Sequence, residues 1–312
     1  MKIMITGGCG YIGTLLVKKL LDKDYELVVI DTQWFGNYLE KNKNLEIKKK
    51  DIRNLEFNDL KNVSTIIHLA NIANDPAVEL NKNLSWEVNV LATQQISDFA
   101  FRSGVKHIIY ASSGSVYGVK EEKKVTENLI LVPISTYNKT KMVAERILLS
   151  YQDDLRIHCI RPATVSGYSL RMRLDLTVNM LTMQALKNKQ MTVFGGSQIR
   201  PNIHIQDMVD VYLHFVSNAN LPSGCYNAGF ENISVLNIAK KIQKKLPSKI
   251  EILESIDLRS YRLDSSKLIS SGFDAKYNVE NAIDEIIEKF KNGILKDNES
   301  FYTVNWMKKL KI

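Results

Sequence analysis

A glycine-rich turn set directly behind an apolar pentapeptide constrains this chain most. Lys2-Ile3-Met4-Ile5-Thr6 reads as a buried strand, Gly7-Gly8-Cys9-Gly10-Tyr11-Ile12-Gly13 follows at once, and residues 12–22 carry the periodicity of an amphipathic helix. Glycine permits the tight turn and lets backbone approach a bulky anion closely. The helix start behind it offers unpaired N–H groups and the positive end of a dipole. Gly7, Gly10, Tyr11, Ile12 and Gly13 are therefore expected to cradle the pyrophosphate of a dinucleotide. A second strand ends on Asp31. A carboxylate there accepts hydrogen bonds from both ribose hydroxyls of NAD and repels the 2′-phosphate of NADP, so NAD is the expected cofactor.

The strand-then-helix alternation continues through the first half. Residues 27–31, 65–70, 107–112 and 156–161 are short runs rich in Ile, Val and Leu, with helix-like stretches at 86–103 and 135–149 between them. This predicts an α/β fold, a doubly wound parallel sheet with right-handed crossovers. Beyond about residue 165 the pattern loosens. Residues 171–187, 236–246 and 279–292 read as helices and 191–194 as a strand, which suggests a smaller mixed C-terminal lobe over the carboxyl ends of the strands. The expected division is a cofactor-binding domain over 1–165 and a substrate-binding lobe over 166–312. No Gly/Ser-rich linker separates them, so the boundary is soft and some chain is expected to return to the first domain.

Composition narrows the class. The formal net charge is +8, but the lysines stand in short clusters without interleaved aromatics. They read as a solvated face that favours a polyanionic small substrate, not nucleic acid. No apolar run is long enough for a membrane span, and the N-terminus lacks the charged start of a signal peptide. Three cysteines and five histidines are scattered. Neither a disulfide framework nor a metal site is expected, and a reducing, cytoplasmic setting is.

A second constellation lies downstream. Tyr137 and Lys141, four apart on an expected helix, share one face. A free tyrosine titrates near about 10, and a neighbouring ammonium favours the phenolate, so the pair suits a general base. The serine-rich end of the preceding strand, Ser112-Ser113-Gly114-Ser115, offers a hydroxyl at the same sheet edge. Ser113, Tyr137 and Lys141 are the expected catalytic set.

With these residues in order, the chain resembles an extended short-chain dehydrogenase/reductase of the NAD-dependent epimerase/dehydratase family, the nucleotide-sugar modifying group built on the Rossmann fold. The landmarks span nearly the whole length: Thr6 to Gly13, Asp51-Ile52-Arg53, His68-Leu69-Ala70, Asn89-Val90, Ser112 to Gly118, Tyr137 to Lys141, Arg161-Pro162, Arg200 to His204, and Asp207. The resemblance implies cofactor contacts from Asp51, Ile52, Leu69, Ala70, Asn89 and Ser112, besides Tyr137 and Lys141. It implies substrate contacts from Ser113, from Asn179 and Arg200 at the diphosphate, from Val193 and Phe194 at the nucleobase, and from Arg259 at a phosphate. Two departures stand out. Thr164 occupies a position where the family often has Asn. Gly114 and Ser115 stand where 4,6-dehydratases carry an acid.

The resemblance implies hydride removal from C4 of a nucleoside-diphosphate sugar to NAD. The missing acid leaves 4-epimerisation or net C4 dehydrogenation as the expected outcomes, with a 4,6-dehydratase or a non-catalytic NAD-sensing protein as alternatives. The Lys-, Asn- and Ile-rich style suggests a bacterial source and a role in surface (capsule) polysaccharide supply, with a GDP-heptose among the expected substrates. The family implies a homodimer through a four-helix bundle, to which 86–103 and 135–149 would contribute.

Overall fold

Ile3, Met4 and Ile5 are fully buried because their strand lies in the middle of a sheet covered on both faces. The computed structural model describes residues 1–254 and 260–312. Its strands are β1 (Lys2–Thr6), β2 (Glu26–Asp31), β3 (Leu45–Lys49), β4 (Val63–His68), β5 (His107–Ala111), β6 (Arg156–Pro162), β7 (Thr164–Ser166), β8 (Gln190–Phe194), β9 (Ile199–His204), β10 (Gly224–Ala228), β11 (Glu231–Ser234) and β12 (Lys249–Leu253). Seven of them form a parallel Rossmann-like sheet in the order β10-β6-β5-β4-β1-β2-β3. The order reverses between β1 and β4. At such a switch point the carboxyl ends of the strands open a crevice for a ligand.

The helices are α1 (Tyr11–Leu21), α2 (Asp75–Val78), α3 (Lys82–Trp86), α4 (Ala92–Ser103), α5 (Thr136–Leu149), α6 (Thr177–Asn188), α7 (Ile205–Ser217), α8 (Val235–Lys245), α9 (Ser266–Ser270), α10 (Val279–Lys291) and α11 (Thr303–Leu310). α1 packs with α7, and α4 packs with α5. Strand alternation divides the core between these pairs. Ile3, Ile5, Leu27 and Val29 enter one apolar cluster, while Met4, Val28 and Ile30 enter the other. A third cluster unites α6, α8 and α10 through Val178, Leu181, Ile238 and Ile283. Beside it lie a mixed sheet, β11-β9-β7, and the parallel pair β12-β8. β10, from the second half of the chain, completes the edge of the large sheet against β6.

Two expected helices differ in form. Residues 171–187 do not form one helix, because α6 begins only at Thr177. Arg171, Met172, Arg173, Leu174 and Asp175 alternate polar with apolar, and Met172 and Leu174 are fully buried. The segment is irregular, with a bend at Arg171 and a turn at Leu174 and Asp175. The expected 86–103 helix is interrupted by a π-helical turn over Glu87–Leu91. Asn89 sits inside it, accepting from Ile72 N at 2.8 Å and donating to Ile72 O at 3.1 Å. A widened turn of this kind re-aims a side chain that regular geometry would direct elsewhere.

Candidate active site

The carboxyl ends of the large sheet open into a cavity of about 600 Å³. Gly7, Gly10, Tyr11, Ile12 and Gly13 line it. Gly7 has φ +73°, and a Cβ there would lie 2.6 Å from Ala70 N. A Cβ on Gly13 would lie 2.6 Å from Gly7 O and would push the turn off the helix start. Glycine at both positions keeps the floor of the cradle at backbone level. Asp31 also faces the cavity, and two backbone N–H groups hold its carboxylate: Cys9 N donates to Oδ2 at 3.0 Å and Gln33 N to Oδ1 at 2.7 Å. Burial raises its pKa against the pull of those two bonds. Asp51, Ile52, Leu69 and Ala70 line the same half. Asp51 caps the short turn Ile52–Asn54 by accepting from Arg53 N at 2.9 Å. A backbone cradle that any Cβ would fill, with a fixed carboxylate beyond it, fits a dinucleotide without a 2′-phosphate.

Ser113, Tyr137 and Lys141 meet on the opposite wall. Ser113 ends the loop after β5 and caps the turn Gly114–Tyr117, accepting from Ser115 N at 3.2 Å. Its hydroxyl lies 2.7 Å from Ser115 Oγ, which donates to Asn138 Oδ1 at 2.7 Å. Tyr137 and Lys141 project from α5, whose start is capped by Ser135. Lys141 Nζ donates to Ala111 O at 2.7 Å and lies 4.8 Å from the Tyr110 ring centroid and 6.0 Å from that of Tyr137. Burial lowers the Lys141 pKa to about 7, against the pull of Glu145. Burial raises the Tyr137 phenol to about 12, and the Ser113 hydroxyl pulls it down. Desolvation outweighs every charge the chain places near the phenol. Ser112 lines the cavity too, and its hydroxyl donates to Glu145 Oε1 at 2.5 Å.

The residues expected at the substrate divide. Arg200 and Phe194 line the cavity. Val193 points into the core of the small lobe, because its strand alternates and Phe194 takes the outer face. Asn179 is fully buried and its amide is used by the protein. It accepts from Gly167 N at 3.0 Å and donates to Tyr11 Oη at 3.0 Å and to Arg173 O at 2.9 Å. Asn89 likewise lies behind the wall, holding the 70–76 loop through Ile72. Neither amide is brought to the cavity surface. Arg259 lies outside the described residues.

Residues 3–229 match a model of the NAD dependent epimerase/dehydratase family. The chain belongs to that family. It is 31% identical over 261 residues to "Uncharacterized UDP-glucose epimerase YtcB" of Bacillus subtilis, covering 78% of this chain and 81% of the relative. A "Putative UDP-glucose 4-epimerase" of Methanocaldococcus jannaschii is 26% identical over 305 residues, covering 93% and 99%. Among solved structures, MoeE5 in complex with UDP-glucuronic acid and NAD superposes with a TM-score of 0.85 at 26% identity, covering 94% of this chain and 100% of that one. The protein is thus an NAD-dependent enzyme of the nucleotide-sugar epimerase/dehydratase group.

Sequence reasoning missed several cavity residues of this family member. Arg171, Arg173 and Asp175 line it from the irregular segment before α6. Their alternation with the apolar Met172 and Leu174 was the signal that they share one side. Asp75 lines it from the start of α2 and accepts from the Ser135 hydroxyl. Nothing local in the Ala70 to Pro76 loop announces a carboxylate facing the wall that carries Ser113 and Tyr137.

Proposed function

We propose that this enzyme oxidises C4 of a nucleoside-diphosphate sugar, giving a 4-keto sugar. The convergence of Ser113, Tyr137 and Lys141 beside the glycine cradle carries this reading. Tyr137 takes the proton of the sugar hydroxyl, Ser113 orients that oxygen, and Lys141, anchored on Ala111 O, holds the wall in register. When bound, NAD would supply the hydride acceptor, and its positive charge would favour the Tyr137 phenolate that takes the proton, offsetting the effect of burial. The keto sugar then turns over and is reduced again, making the enzyme a 4-epimerase, or it leaves, making it a C4 dehydrogenase. Relatives named as UDP-glucose 4-epimerases favour the first outcome.

A 4,6-dehydratase is disfavoured by the turn after Ser113. A Cβ on Gly114 would stand 3.1 Å from Pro162 O, so a side chain there needs this backbone to give by a few tenths of an ångström. The Ser115 hydroxyl is engaged by Ser113 and Asn138. We assign Arg200 to the substrate diphosphate and Phe194 to the nucleobase side. We further assign residues 1–165, with β10 and α7 returned to them, to the cofactor unit, and the remainder of 166–312 to the nucleotide sugar. UDP- and GDP-sugars, including a GDP-heptose for bacterial surface polysaccharide, are the substrates to test, and the expected setting is cytoplasmic. Leu91 and Phe101 are 63% and 47% exposed on the α4 side, which supports a homodimer in which α4 and α5 pair with their copies. Light scattering at micromolar concentration should give twice the chain mass.

Product NMR after incubation with UDP-, GDP- and CDP-sugars tests the reading. A C4 epimer or a 4-ketone is expected. A 4-keto-6-deoxy product, or no turnover of any sugar nucleotide by NAD-loaded protein, would overturn it.

A further inference from the structure

We propose that Arg171 is a ligand of the dinucleotide pyrophosphate, delivered across the cleft by a strap formed by residues 167–176. The strap joins β7 to α6 and is bolted to Tyr11, the first residue of α1 behind the glycine turn. Tyr11 Oη donates to Gly167 O at 2.6 Å, and Ser169 Oγ donates to Tyr11 O at 2.8 Å. Asn179, at the start of α6, closes the loop by bonding both Gly167 N and Tyr11 Oη. Met172 and Leu174 are sunk in the core, while Arg171 and Arg173 line the cavity.

The two arginines are not equivalent. Arg173 is gripped bidentately by Asp175, with Nε to Oδ1 at 3.0 Å and Nη2 to Oδ2 at 2.8 Å. Arg171 is 3% exposed and has no ion pair among the described residues. It donates to Met172 O at 3.2 Å and to Thr303 Oγ1 at 3.5 Å, and its Nε has no partner. Its guanidinium carbon stands 4.1 Å from the Phe35 ring centroid. Burial, helped by Arg173, lowers its pKa to about 9. Asp175 and Asp31 act on it only at a distance, so a buried guanidinium with no directly bonded carboxylate and an unpaired Nε is costly, and the fitting partner is an anion.

Position decides which anion. Phe35 follows the Asp31 turn, and Thr303 begins the C-terminal helix that packs against it, with Trp306 Nε1 donating to Trp34 O at 2.7 Å. Asp31 is within electrostatic reach of Arg171. This is the cofactor half of the cavity. The glycine turn and α1 meet the pyrophosphate from one side, and Arg171 meets it from the other. The inference rests on the cofactor alone, not on which sugar carbon is oxidised.

The test is equilibrium binding by calorimetry on full-length protein stripped of nucleotide, with NAD, ADP, adenosine, UDP and GDP as probes. Arg171→Met should weaken NAD and ADP by about tenfold to a hundredfold, as for loss of hydrogen bonds to a charged group, and leave adenosine within about twofold. Arg171→Lys keeps the charge but not the fork and should fall between. It decides the matter if Arg171→Met does not fold, as judged by circular dichroism. NAD binding within twofold of wild type in the folded variants would overturn the proposal. So would a loss confined to UDP or GDP, which would assign the guanidinium to the substrate. No sugar turnover enters the readout, so failure here is separate from failure of the C4 reading.

Discussion

Lys141 Nζ donates to the carbonyl oxygen of Ala111 at 2.7 Å, tying the middle of α5 to the last residue of β5. The ammonium is 1% exposed, and its pKa falls from 10.5 to about 7. The unfolded chain therefore binds this proton more tightly than the folded one. Between pH 7 and 10.5 the stability contribution of Lys141 should rise with pH, and below about 7, where both states are protonated, the penalty is complete. Urea unfolding of wild type and Lys141→Met at pH 7, 8.5 and 10 should show the wild type gaining on the variant across the series. A constant difference would mean that the lysine is not desolvated as the structure has it.

Without the cofactor's charge, burial favours the protonated form of the Tyr137 phenol. Replacing it with Phe removes a proton-transfer group and no charge. Tyr137→Phe should keep the wild-type melting temperature and bind NAD, yet transfer hydride about 10²- to 10⁴-fold more slowly. The reduced-nicotinamide absorbance band, followed with a sugar nucleotide that the wild type accepts, measures this directly.

Behind the catalytic wall, Glu145 and Arg161 form a buried bidentate pair, with Nε to Oε1 at 2.9 Å and Nη2 to Oε2 at 2.7 Å. Arg161 extends the network to Tyr117 Oη at 2.7 Å. Glu145→Leu strands the guanidinium and should cost about 3–5 kcal/mol. An unchanged urea midpoint would show that the pair is dispensable.

Gly13→Ala places a methyl 2.6 Å from Gly7 O. The turn must shift away from the start of α1, so NAD affinity should fall by at least about tenfold while far-UV circular dichroism stays that of the wild type. Retained nucleotide, read from the ratio of absorbance at 260 and 280 nm after purification, gives a second measure.

Elements whose signal lies within a few neighbouring residues were legible beforehand. β1 runs Lys2–Thr6 as read, and α1 follows the glycine turn at once. Tyr137 and Lys141 share a helix face because four residues make about one turn. Other elements depend on neighbours far away in the chain. β3 carries Leu45-Glu46-Ile47-Lys48-Lys49, which is too polar to announce a strand, and it forms because β2 offers an edge. The 171–187 stretch has enough apolar residues for a helix, but its first part is irregular and follows a loop tied to Tyr11, far away in the chain, through Gly167 and Ser169.

The sequence by itself determined the glycine turn before α1, the carboxylate at the end of β2 and the shared helix face of the proposed catalytic pair Tyr137 and Lys141, because each depends on steric and periodic rules that act over a few residues. The tertiary structure decided which side chains reach the cavity. It turned Asn179 inward to brace Tyr11, left Arg171 on the cavity wall with its Nε unpaired, and raised Tyr137 while lowering Lys141. Desolvation and long-range packing set those outcomes, and neither is encoded by the identity of adjacent residues.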